Sequence, residues 1–164
     1  MAMTVALTLR IDAEEIEVAG ESREIDMDRE ETIECLSFVS SAHTHGQGTR
    51  PGFSLHDDAQ FDPIRITKRI DSATSYIAKA FFRHEQVSGT FRFFRPSAEG
   101  DGTTEHFFTM QFGNAHIVEH EINSPNALSP TQANEPPIEK VGIGWRSISY
   151  NYERGNLEAN LILG

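Results

Sequence analysis

The chain has 164 residues, a formal net charge of −11 and one cysteine, Cys35. That length fits one domain spanning 1–164 with a real core, and the acidic balance argues against nucleic acid or an anionic bilayer as partner. A lone cysteine gives no disulfide framework; with no basic-then-apolar leader and no bilayer-length apolar run, the expectation is a protein made in the cytoplasm without a signal peptide.

Thr4 to Ile11 alternates, with Val5, Leu7, Leu9 and Ile11 on one face, and predicts a strand. From Asp12 to Glu34 there are eleven acidic residues against Arg23 and Arg29, too much like charge for a regular element, so a long loop is expected. Thr32 to Ser40 predicts a second strand. Ser41 to Asp62, rich in His, Gly, Asp and Ser, predicts a long extended loop, and such a loop is usually functional or disordered. Ile64, Ile66 and Ile70 then keep a period of two until Asp71-Ser72. There the period becomes three and four, through Ala73, Ile77, Ala80, Phe81 and His84, with Asp71 or Ser72 as cap.

Gln86 to Arg95 predicts a strand, Gly100-Asp101-Gly102 a turn, and Glu105 to Phe112 another strand. Gly113-Asn114 reads as a turn before a strand from Ala115 to Asn123, and the proline-bearing segment Ser124 to Pro137 as a second long loop. The last strand pair starts near Glu139. Val141, Ile143 and Trp145 share one parity and Ile148, Tyr150 and Tyr152 the other, so a bulge or bend is expected near Arg146-Ser147. Seven to eight strands and one helix make a mainly β chain: an antiparallel β-barrel with one flanking α-helix and a long extended loop. The basic residues cluster between Pro63 and Pro96, opposite in sign to the Asp12–Glu34 block, which suits a head-to-tail assembly held by charge.

Chemistry-bearing motifs are sparse. His116-Ile117-Val118-Glu119-His120 spells H-x-x-E-H, but that zinc chemistry needs a helix, and on a strand Glu119 points away from His116 and His120. His43, His45, His56, Asp57 and Asp58 are potential ligands in a glycine-rich loop, where adventitious binding is the simpler reading. Cys35 stands beside Glu34, whose charge disfavours a thiolate. No nucleophile elbow or phosphate-cradling loop occurs, so neither a catalytic residue, a cofactor site nor a metal site is assigned.

Three stretches carry a resemblance: Gly20-Glu21-Ser22, then Thr32 through Phe38, then Ile66-Thr67-Lys68-Arg69-Ile70-Asp71-Ser72-Ala73-Thr74. With the strand opening Asn114-Ala115-His116 and the closing segment from Glu139-Lys140-Val141 to Tyr150-Asn151-Tyr152-Glu153, the chain resembles the haemolysin-coregulated protein family of bacterial type VI secretion systems. That resemblance implies a structural, non-enzymatic subunit serving bacterial virulence or competition. It implies homohexameric rings that stack into a tube, bind and chaperone effectors in the lumen, and meet sheath and tip proteins. The protein would be cytoplasmic before firing and secreted afterwards. It also implies that Arg50, Phe53, Leu55, His56 and Asp57 contact neighbouring subunits or rings. Ser37 and Val39 would face the lumen, with Leu36 and Phe38 facing the core. The alternatives are a monomeric ligand-binding β-barrel and a zinc hydrolase through His116, Glu119 and His120.

Overall fold

The computed structural model describes residues 3–44 and 59–163. The alternation at the N-terminus forms β1 (Thr4–Ile11), in which Leu7, Leu9 and Ile11 are buried and Arg10 is exposed. The acidic stretch is not all loop: β2 (Ile16–Val18) folds back onto the end of β1. Next come β3 (Ile33–Val39), β4 (Ala42–Thr44), β5 (Ala59–Phe61) and β6 (Ile64–Arg69). The two ends of the predicted long loop pair with each other as β4 and β5. The candidate contact residues Arg50, Phe53, Leu55, His56 and Asp57 lie outside the described residues.

Helix α1 (Thr74–Phe82) follows at the predicted change of period and is shorter than the apolar stripe implied. Its start is held by Asp71, whose Oδ1 accepts the Ala73 N–H at 2.9 Å while the Asp71 N–H donates to Thr74 Oγ1 at 3.1 Å. At its end, Glu85 N–H donates to Ala80 O and His84 N–H to Phe81 O, a Schellman closure. His84 takes the left-handed position there, with φ 49°, that glycine usually occupies.

The remaining strands are β7 (Gln86–Pro96), β8 (Thr104–Asn123), β9 (Ile138–Gly144), β10 (Ser147–Tyr152) and β11 (Leu157–Ile162). Gly113-Asn114 is not a turn between two strands. β8 runs through it as one 20-residue strand with Asn114 at φ 47°. Opposite that corner, β9 ends and β10 begins, in the same register along the same edge of β8: Gly144 faces His116 and Ser147 faces Gly113. The expected bend at Arg146-Ser147 is therefore one half of a corner that both strands turn together. On one side of the corner β9 pairs with β6 and closes the ring β8-β7-β1-β3-β6-β9; on the other, β10 carries β11 outward as a flap. Leu7, Ile33, Ile66, Phe91, Ile117 and Ile143 fill the closed part.

A charge pair sits inside that packing. Lys68 and Glu139 are both fully buried, with Nζ 2.7 Å from Oε2. Lys68 also donates to Asp71 Oδ1 at 2.8 Å and to Arg69 O at 2.9 Å, while Glu139 accepts from Thr74 Oγ1 at 2.7 Å and lies 2.9 Å from His120 Nε2. The network ties β6, β9, β8 and the start of α1 to one point. Burial alone would raise the Glu139 pKa, but hydrogen bonds from Lys68 and Thr74 outweigh it, and the carboxyl lies below its ordinary range.

Lys68→Met leaves Glu139 buried without its cation and is expected to cost about 3–5 kcal/mol in urea unfolding; Lys68→Met with Glu139→Leu should recover most of that. Because the folded carboxyl is depressed, the stability contributed by Glu139 is complete above its unfolded pKa of about 4.3 and disappears as pH falls through the lower folded value. Urea midpoints should accordingly show the wild type losing ground to the double variant only below about pH 4.

Candidate functional site

The outward faces of β3, β6, β9 and β8 form a shallow concavity lined by Ser37, Val39, Arg65, Thr67, Glu119 and Lys140. Strand register explains the grouping. Val39 pairs with Arg65, Arg65 with Gly142 and Gly142 with Glu119, giving one row across four strands. Ser37, Thr67, Lys140 and Glu121 give the next row.

Charge is cancelled within the face. Arg65 holds Glu119 in a two-pronged contact, with Nε to Oε2 and Nη2 to Oε1 both at 3.0 Å. Arg65 and Glu119 stand on strands separated by β9, so their side chains meet above Gly142. A Cβ at that glycine would lie 2.8 Å from both Cβ and Oε2 of Glu119. The pair can cross only because residue 142 has no side chain. The Arg65 hydrogen bond holds the Glu119 carboxyl below its ordinary range. Lys140 approaches Glu121 at 3.8 Å and Arg69 reaches Glu34 at 3.3 Å.

Ser37 and Val39 are both exposed, and Val39 is 55% accessible. Phe38 points the other way and meets Phe91 and Phe93 edge-on, with centroids 4.9 and 5.0 Å apart. Leu36 does not join Phe38 in the core; it is 43% exposed. The register between β3 and β6 shifts between Cys35 and Ser37, so Leu36 is the extra residue of a bulge and breaks the alternation. Cys35 is buried, which with the nearby Glu34 pushes its thiol up to about 12 despite Lys68.

The three zincin-like residues do not converge. His116 to His120 lies in β8, Glu119 is occupied by Arg65 on the outer face, and His120 turns inward to Glu139. No cluster of potential ligands occurs among the described residues. The opposed charge blocks of the sequence meet inside one chain: Lys79 with Glu14 at 2.7 Å, Arg69 with Glu34, and Arg92 donating to the carbonyls of Met27 and Asp28 at 2.7 Å. The head-to-tail charge contact expected from the sequence loses those groups to intrachain partners.

The family model described as "Type VI secretion system effector, Hcp" matches residues 9–152. The chain therefore belongs to the Hcp family of type VI secretion systems. Its fold is similar to that of the Hcp1 protein from the E. coli EAEC 042 pathovar, at 20% identity over 99% of this chain and 100% of that one, with a TM-score of 0.81. It is also similar to the secreted protein Hcp3 from Pseudomonas aeruginosa (16% identity, 99% of both chains, TM-score 0.74) and to Hcp1 from Salmonella typhimurium (16%, 98% and 95%, 0.69). No curated protein sequence matches the chain.

Gly142→Ala should push Glu119 off Arg65. Its side-chain carboxyl, followed by carbon NMR against pH, is expected to move up toward the ordinary carboxylate range, as it should in Arg65→Ala. An unchanged titration in both variants would separate Glu119 from Arg65 in solution.

Proposed function

We propose that the chain, acting as one domain over 1–164, is the structural subunit of a type VI secretion tube and has no catalytic role. Six copies close into a ring, and rings stack into a tube that is exported from the cytoplasm to the cell exterior. The β3-β6-β9-β8 face, with Ser37 and Val39, lines the lumen and receives effectors; sheath and tip proteins are the other partners. The observation that carries this reading is the family match across residues 9–152.

The chemistry of the face supports its assignment to the wall. On a chain of net charge −11, Arg65, Arg69 and Lys140 are balanced by Glu119, Glu34 and Glu121. A face without net charge neither traps nor repels a passing protein by its sign. The filled barrel interior gives no support to a ligand-binding barrel.

Light scattering coupled to gel filtration tests the ring. A mass near six times 18.3 kDa is expected. It should be the same at low and high salt, because the complementary charges are already paired within each chain and exposed pairs are screened. A monomer at every concentration would overturn the self-assembling ring.

A further inference from the structure

β11 is the open edge of the main sheet. Among the described residues it pairs only with β10, and all six of its residues are exposed. Natural edges are commonly blunted by lysine, proline, bulges or a covering segment. Leu157-Glu158-Ala159-Asn160-Leu161-Ile162 carries neither proline nor lysine, and its pairing with β10 is unbroken.

The backbone shows which groups are free. Leu163 N–H donates to Arg146 O, in register with the Ser147–Ile162 pair. On the far side of β10, Glu153 N–H donates to Phe107 O, in register with Tyr152–Phe108, so odd-numbered residues of β10 turn toward β8 and even-numbered ones toward β11. The odd-numbered residues of β11 therefore bond to β10. The N–H and C=O groups of Glu158, Asn160 and Ile162 point outward from the sheet.

We propose that this edge pairs with the β11 edge of a second copy of the chain, antiparallel, about a two-fold axis through Ala159. That axis stands perpendicular to the sheet and keeps each side chain on its own face. Glu158 and Asn160 then exchange backbone hydrogen bonds with Asn160 and Glu158 of the second copy. Ala159 faces its own counterpart in a non-hydrogen-bonded pair, and Leu157 faces Leu161. The strand is complementary to itself in this register: leucine meets leucine on one face, and Glu158 meets an amide rather than a like charge on the other. Leu157, Ala159 and Leu161 continue the row of Tyr152, Tyr150 and Ile148 on β10, so the pairing extends an existing face.

Charge selects the same surface. A second copy brings another net charge of −11, and Glu158 is the one charged residue in β10 and β11 together. A two-fold contact uses one patch twice, whereas a head-to-tail ring uses two different patches, so this inference does not rest on the ring. Six-residue strands bury less than the roughly 1,200 Å² of a stable interface, and the contact is reversible.

Trapping is accordingly the test. Directly opposed residues of a non-hydrogen-bonded pair have Cα atoms about 4.5 Å apart, within disulfide range. Full-length Ala159→Cys, oxidised with copper phenanthroline, is expected to give a reducible dimer on denaturing gels. Glu158→Cys and Asn160→Cys place their counterparts roughly 8–9 Å apart and should give several-fold less. Buried Cys35 stays out of the reaction. Adding Leu161→Lys to Ala159→Cys should cut the yield several-fold. No dimer from Ala159→Cys would leave the edge to a strand from another protein and overturn the self-pairing. Equal yields from all three cysteines would overturn the register. The native hexamer mass reads the ring separately.

Discussion

Two opposite charges with no access to water, Lys68 and Glu139, join four elements of this fold. Each would be costly alone; together with Asp71, Thr74 and His120 they are hydrogen-bonded inside an apolar shell. Such a pair adds little net stability over a hydrophobic substitute of the same shape, but it tolerates only one arrangement of its carriers. Lys68 sets the position of β6, Glu139 that of β9, and Thr74 brings the first turn of α1 over both. The closed side of the barrel inherits its register from this point.

That register builds the outer face. With β6 and β9 aligned, Arg65 falls in the same row as Gly142 and Glu119, and the missing side chain at 142 lets the ion pair span three strands. One stretch, Ile64 to Arg69, thus sends Ile64, Ile66 and Lys68 inward to hold the fold and Arg65 outward to the candidate lumen. The corner at Gly113-Asn114 divides the labour further. On one side of it the sheet closes on itself, and on the other it ends in the open strand β11.

Where a strand has one wet face, its period of two is visible in the sequence; β1 and β6 were legible for that reason, and the switch to α1 was marked by Asp71. The same period already placed Lys68 in phase with Ile64 and Ile66, so a buried lysine was written in the pattern. Leu36 misled because a bulge inserts a residue without changing composition. β11 left no mark because it is exposed on both faces, and β2 because three residues among acidic neighbours carry no period. Gly113-Asn114 has the composition of a turn, and only the shared register of β9 and β10 along β8 distinguishes a corner from a reversal. Of the candidate site, the outward direction of Ser37 and Val39 came from the family resemblance; alternation alone puts them on the buried face of Ile33 and Cys35, and the bulge at Leu36 turns them outward. Their grouping with Arg65, Glu119 and Lys140 needed the pairing of strands distant in sequence.

The measurement that bears most directly on a lumen-lining sheet is the position of a label on it. In Val39→Cys, the introduced thiol is exposed while Cys35 stays buried, so a bulky maleimide marks residue 39 alone. Electron-microscope class averages are predicted to show six-fold rings with added density inside the central opening. Density on the outer rim, or labelled particles with no ring, would contradict the assignment of this face to the wall of a secretion tube.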